Sequence, residues 1–255
     1  MTLEVFGLEG KTAIVTGGNS GLGKAIATAL YEAGANVVIC GRDKAKLDQT
    51  IEGINDDYRF KGIVADVREK SEVNKLLAFT VENFKSVNIM VNNAGIVYIK
   101  PALEYTEADW KSIWEINVMG VFYGCCAVAN YWINNNMPGK IINISSVAGL
   151  RGYPGIYVGY STTKAAVVNM TRALAIEWAP YRINVNCIAP GRFDTEMNRD
   201  RHSDPKELEK ITRRIPLGRV GMPWEIGPLA VYLSSQASDF MTGEVILLDG
   251  GSFQV

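Results

Sequence analysis

The sequence predicts an α/β domain built on a mostly parallel, seven-stranded, doubly wound sheet with helices on both faces. Three observations carry this. Seven short apolar, β-branched runs recur along the 255 residues, with stretches of helical period between them. The runs are near-continuous rather than alternating, as strands buried on both faces require. The first run feeds a glycine-rich turn that opens a helix and returns to a second run, which is a βαβ unit.

In chain order, Lys11–Thr16 is the first strand and Gly17–Gly23 the turn, and a helix then leads through Ala33 and Gly34 to a strand at Asn36–Cys40. A helix from Asp43 to about Asn55 precedes a strand from Arg59 to Ala65, which ends at Asp66. Glu69–Phe84 is helical, and Val87–Val91 is a strand closing in Asn92, Asn93, Ala94 and Gly95. A long helix runs from about Thr106 to Asn134. Lys140–Ser145 is the fifth strand. The helix holding Tyr160 and Lys164 continues to about Ala179, and Arg182–Ile188 is a strand ending at Ala189, Pro190 and Gly191. A polar segment, a helix from Trp224 to Ser235 and a strand at Glu244–Leu248 complete the chain. No repeat, low-complexity tract or linker divides it, so residues 1–255 read as one domain.

Composition narrows the function. Apolar residues make up 47% and charged residues 21%, which suits a globular chain whose core needs no disulfide staples. A net charge of −1 gives no electrostatic reason to expect nucleic acid or an anionic membrane as partner. No run approaches the ~18 apolar residues of a membrane span. The opening residues lack the pattern of a secretion signal, so a cytoplasmic protein is expected. Cys40, Cys125, Cys126 and Cys187 have no metal spacing, and His202 is the single histidine. A Ser-His-Asp triad, a Cys-His dyad and a metal site are therefore disfavoured.

Proton chemistry must use another group, and Tyr160 is the best placed. Lys164 lies four residues on, on the same helical face. A phenol has a pKa near ~10, but an ammonium at ~4 Å and an effective dielectric of about 20 favours the phenolate by roughly 4 kcal/mol, at most about three pK units. That brings the phenol near the pH where general acid–base catalysis works. Ligands of such sheets sit beyond the carboxyl ends of the strands. The residues at those ends are small, polar or turn-forming: Gly17–Gly23, Arg42, Asp66, Asn92–Gly95, Ser145-Ser146 and Pro190-Gly191. The glycine-rich turn between strand and helix is the context for a dinucleotide pyrophosphate.

In this order and spacing, Thr16–Gly23, Asn92–Gly95, Asn117, the Ser146 to Tyr160-x-x-x-Lys164 unit, Pro190-Gly191 with Thr195, and Leu248–Gly251 resemble the short-chain dehydrogenases/reductases over essentially the whole chain. The C-terminal half is most similar to gluconate 5-dehydrogenase and related sugar-acid members. The resemblance implies a Rossmann fold and hydride transfer between a nicotinamide and a carbonyl or secondary alcohol, with the cofactor carrying the hydride. It implies Tyr160 as general acid or base and Lys164 as the group that lowers its pKa and binds the nicotinamide ribose. Ser146, the second Ser of its pair, would bind the substrate oxygen, and Asn117 would hold a water in a proton relay, with a satisfied core amide as the alternative. Gly17, Asn19, Ser20, Gly21, Leu22, Gly23, Asp66, Val67, Asn93, Ala94, Gly95, Pro190, Gly191, Phe193 and Thr195 would contact the cofactor, Asp66 at the adenine and Asn93 at its ribose. An enoyl reductase would need a wider Tyr–Lys spacing, and a sugar-nucleotide epimerase a longer chain. A non-catalytic NADP-binding regulator of the same fold is the alternative to an enzyme.

Cofactor choice turns on the end of the second strand. NAD enzymes usually place a carboxylate there; this chain has Gly41 followed by Arg42, which can pair with a 2′-phosphate, so NADP is expected over NAD. Asp43 either weakens this or caps the next helix. The segment from Asp194 to Pro216 resembles a substrate lid. Arg151 and Arg192 suggest a substrate carboxylate, as on a sugar acid; Tyr153, Tyr157, Phe193 and Met197 suggest a small or aromatic ketone. The Thr106–Asn134 helix is apolar over more than one face, which suggests a subunit interface and a homotetramer.

Overall fold

The computed structural model describes residues 3–56, 58–152, 155, 157–196 and 204–254. Its sheet contains β1 (Thr12–Thr16), β2 (Asn36–Gly41), β3 (Phe60–Val64), β4 (Ile89–Asn92), β5 (Gly139–Ile144), β6 (Ile183–Pro190) and β7 (Val245–Leu248), in the order β3-β2-β1-β4-β5-β6-β7. Every pairing is parallel. Helices α1 (Gly21–Glu32), α2 (Lys44–Ile54) and α8 (Gly227–Ser234) pack on one face, and α3 (Lys70–Phe84), α5 (Gly120–Asn134) and α6 (Val158–Trp178) on the other. Alternate strand residues enter opposite cores: Ala13, Val15, Val37 and Ile39 go to the first, Ile14, Val38 and Cys40 to the second. That division is why the strands read as unbroken apolar runs.

The chain winds outward from β1 to β3, returns to β4 and winds the other way to β7. The connections that follow β1 and β4 therefore lead away to opposite faces of the sheet, leaving a crevice at the carboxyl ends of the central strands. Local signals set the helix ends. The Asp43 carboxylate accepts from the Lys46 N–H at 3.1 Å, so it caps α2, and Asn55 closes that helix in the left-handed region at φ 55°.

Two expectations are corrected. The helix expected from Thr106 to Asn134 is one rod with a change of register: α4 (Glu107–Trp114), a π-turn (Glu115–Met119) in which the Gly120 N–H reaches back to the Glu115 carbonyl, and α5. The 28-residue rod Glu107–Asn134 is also long and apolar enough by length and composition to cross a bilayer, yet 61% of its most apolar window is buried inside the molecule. Val121, Cys125, Val128 and Trp132 form its inward row and pack on the sheet. The helix expected at Trp224–Ser235 divides into a 3-10 turn (Pro223–Ile226) and α8, each with a proline in its first turn. The polar segment carries α7 (Pro205–Thr212); His202 lies outside the described residues.

Candidate active site

The loops after β1 and β4 are fastened to each other. The Asn93 amide donates to the carbonyls of Thr16 and Gly17 at 2.9 and 3.2 Å, while the Thr16 hydroxyl accepts from the N–H groups of Asn93 and Ala94 at 3.0 and 3.1 Å. Gly17 and Gly21 take φ of 63° and 52°, a region open to glycine, and a Cβ on Gly23 would lie 2.2 Å from the Gly17 carbonyl oxygen. The turn is thus a cradle that side chains would fill. No side chain caps α1, whose first residues line the cleft. Bare backbone at a helix start fits a pyrophosphate. A cleft of about 400 Å³ extends from this cradle to Arg42 and Asp66 on one side and to Ser146, Tyr160, Lys164, Pro190, Phe193 and Thr195 on the other.

The reactive end is built from α6 and β5. Lys164 Nζ stands 5.7 Å from the Tyr160 ring centroid and donates to the Ile144 carbonyl at 2.8 Å. Lys164 is 4% exposed, and burial pulls its pKa down to about 8, so the ammonium persists at neutral pH. The two serines at the end of β5 part as adjacent strand residues must. Ser145 donates to the Lys164 carbonyl at 2.8 Å and so fixes α6. The Ser146 hydroxyl accepts from the Ala148 N–H at 3.1 Å, and its own hydrogen has no partner among the described residues, so it can donate into the cleft.

Asn117 lies in the π-turn, fully buried. Its amide accepts from the Ile96 N–H at 2.8 Å and donates to the Ile96 carbonyl at 2.9 Å and the Thr163 hydroxyl at 3.1 Å. Both donors are spent, so the side chain is a satisfied core amide that holds the loop after β4 against α6. Oδ1 keeps capacity for one more acceptor bond, and a Cβ on Gly95 would lie 3.2 Å from it and 3.4 Å from Lys164 Nζ, so both atoms border the same spot.

The remaining expected residues divide. Gly17, Asn19–Gly23, Arg42, Asp66, Val67, Asn93–Gly95, Pro190, Gly191, Phe193 and Thr195 line the cleft. Burial raises the Asp66 carboxyl, but the Arg68 guanidinium pairs with both its oxygens and holds it below its usual value. Arg151 does not line the cleft: it donates to the carbonyls of Ser252 and Phe253, each at 2.6 Å, and lies over the Phe253 ring. Arg192 donates to the Tyr157 hydroxyl at 3.3 Å beside the cleft. Tyr153 and Met197 lie outside the described residues, as does the 197–203 part of the expected lid. Burial raises the Cys40, Cys125, Cys126 and Cys187 thiols, Cys40 to about 12, so none is poised as a nucleophile. No motif marks the Ile144 and Ile96 backbone groups that position Lys164 and Asn117. None marks Glu196 either, which lines the cleft and pairs with Lys46 at 2.8 Å.

Comparison with known proteins finds similarity to dehydrogenases and reductases along nearly the whole chain. A family model described as enoyl-(acyl carrier protein) reductase matches residues 17–252. The chain is 40% identical to 2-dehydro-3-deoxy-D-gluconate 5-dehydrogenase of Escherichia coli K12 over 254 residues, 98% of each. It is 36% identical to 3beta-hydroxysteroid dehydrogenase 1 of Eggerthella lenta, covering 96% of this chain and 94% of that one. Among solved structures, a gluconate 5-dehydrogenase from Burkholderia cenocepacia in complex with NADP and tartrate superposes with a TM-score of 0.93 at 34% identity over 100% of both chains.

Proposed function

Because the chain belongs to the short-chain dehydrogenase/reductase family, oxidoreductases acting on CH–OH groups, we propose that it is an NADP-dependent dehydrogenase whose substrate is a keto-sugar acid or the corresponding hydroxy acid. The observation that carries this is the convergence of Tyr160, Lys164 and Ser146 at one end of the glycine-cradled cleft. NADP(H), when bound, supplies or takes up the hydride. The Gly17–Gly23 turn would hold its pyrophosphate, Arg42 its 2′-phosphate, Asp66 and Val67 its adenine, and Pro190–Thr195 its nicotinamide end. Tyr160 gives its phenolic proton to the carbonyl oxygen in reduction and takes it back in oxidation. The Lys164 ammonium favours the phenolate, and the Ser146 hydroxyl donates to the substrate oxygen as negative charge develops there. The proton relay assigned to Asn117 has support from the free Oδ1 lone pair beside Lys164.

Sugar-acid specificity is supported by the Escherichia coli and Burkholderia relatives. With Arg151 held by main-chain carbonyls, Arg192 is the better candidate for a substrate carboxylate. A second reading, a bulky ketone, is favoured by Ile96 and Phe193 in the cleft wall and by the steroid-acting relative. The four-residue Tyr160–Lys164 spacing favours carbonyl over enoyl reduction. Four unpaired cysteines suit a cytoplasmic setting, and outward-facing apolar residues on α4 and α5 suit a homotetramer.

The test is a panel of keto-sugar acids, diketones and steroid ketones, offered with NADPH and with NADH and followed at the nicotinamide absorbance. NADPH-dependent reduction of a keto-sugar acid is expected. Turnover of steroid ketones alone selects the second reading, and no turnover of any carbonyl rejects both.

A further inference from the structure

We propose that Tyr105 is a positioning residue for the reaction: its ring, braced against Gly159, sets the first turn of α6 and with it the Tyr160 phenol. The proposal rests on the reading of Tyr160 as the proton-transferring group and adds a residue that lies outside the cleft wall.

Gly159 is the second residue of α6 and directly precedes Tyr160. It is buried, and its φ is not positive, so the backbone itself does not call for glycine. The neighbour does. A Cβ built on Gly159 would lie 2.8, 3.0 and 3.1 Å from Cε1, Oη and Cζ of Tyr105. The far end of the ring therefore presses on the backbone of the helix start. No side chain caps α6 at Tyr157. The direction of the first turn is thus left to a tertiary contact.

Tyr105 is held on several sides. Its hydroxyl donates to the Tyr98 carbonyl at 3.1 Å, and the Tyr98 hydroxyl donates to the Ser112 hydroxyl of α4 at 3.3 Å. The Lys100 ammonium, paired with Asp109, stands 5.1 Å from the centre of the Tyr105 ring. Trp110 meets that ring edge-on, with 6.1 Å between centroids. The capping box of Thr106 and Asp109 fixes the chain directly after it.

This bracing has a consequence for the proton donor. Lys164 is anchored elsewhere: its Nζ donates to the Ile144 carbonyl, and its own carbonyl accepts from Ser145. One turn back, Tyr160 relies on the contact with Tyr105. Without the brace the phenol shifts against a lysine that stays in place, and a misplacement of about 1 Å costs on the order of a hundredfold in rate. The dinucleotide cradle belongs to the loops after β1 and β4 and is not disturbed. Turnover is lost while NADPH binding is kept.

The experiment measures kcat, KM for NADPH and Tm of the full chain for the wild type, Gly159→Ala, Tyr105→Leu and the double variant. The carbonyl is the keto-sugar acid, diketone or steroid ketone that the wild type turns over. Gly159→Ala, a change that ordinarily strengthens a helix, should here lower both Tm and kcat, the latter about tenfold or more, with KM for NADPH changed less than about twofold. Tyr105→Leu should lower kcat by about threefold or more with the same small effect on that KM. In the double variant the shorter side chain leaves room for the new methyl group, so it should turn over at least about threefold faster than Gly159→Ala. The proposal is overturned if Gly159→Ala keeps wild-type kcat or melts above the wild type, or if the double variant is no faster than Gly159→Ala. Should Gly159→Ala not fold, Tyr105→Leu decides: an unchanged kcat overturns the proposal. A wild type inactive on every carbonyl removes the function reading instead, and Tm, lowered by Gly159→Ala and restored in the double variant, still decides the contact.

Discussion

Lys164 is where burial and charge oppose each other most directly, and the opposition can be measured. Its pKa falls from 10.5 to about 8 because the buried ammonium is desolvated. Below pH 8 both the folded and unfolded chains carry the proton, and the folded chain bears the full desolvation cost. Between pH 8 and 10.5 the unfolded chain binds more protons than the folded one, so this residue's contribution to stability rises with pH, by roughly 3 kcal/mol in all. In urea unfolding of the apoprotein, Lys164→Met should gain most over wild type near pH 7, and the difference should narrow between pH 8 and 10.5. A difference that stays flat refutes the buried-ammonium account. Tyr160 carries the proton itself. Tyr160→Phe should lower kcat by about 10²- to 10⁴-fold while NADPH affinity changes less than about tenfold. Full turnover in that variant removes the mechanism.

At the scale of elements, the π-turn is what places Asn117. It rotates that residue so that one amide satisfies both backbone groups of Ile96 and reaches Thr163 one residue before Lys164. Asn117→Ala strands the Ile96 N–H and carbonyl, at about 1–3 kcal/mol each. At roughly 2–4 °C per kcal/mol for a chain of this length, Tm should fall by at least about 4 °C, with a loss of kcat as the 94–96 loop loosens. An unchanged Tm argues that the amide is replaceable by water. The π-turn itself is invisible in the sequence, because one extra residue in a helical turn leaves no mark on an apolar pattern already spread over two faces. The strands are legible because both their faces are buried, and the Tyr160–Lys164 pair because its geometry is local. Arg151 misleads for the opposite reason: its partners, Ser252 and Phe253, lie about a hundred residues away, where spacing says nothing. Asp43 can be weighed as a cap because its acceptor role is decided three residues on.

At the scale of the whole molecule, the same rod that supplies Asn117 inward presents a second apolar row outward. Trp110, Phe122 and Ile133 are 40%, 39% and 36% exposed, and on neighbouring α6 Val158 and Ile176 are 42% and 80% exposed. Such a patch on helices of a single chain suits a self-complementary contact between copies. Phe122→Glu separates this from a lone subunit. On a subunit with Phe122 already facing water, the change costs at most about 0.5 kcal/mol, within the range of ordinary surface substitutions. In a buried contact repeated by symmetry it desolvates a carboxylate on each side, at several kcal/mol per interface. Light scattering at micromolar concentration should therefore give a tetramer for the wild type and a smaller species for Phe122→Glu, with unchanged circular dichroism. Its Tm should depend less on protein concentration than the wild type's. A wild-type monomer, or a Phe122→Glu variant of unchanged mass, shows that this face is not what holds the copies together.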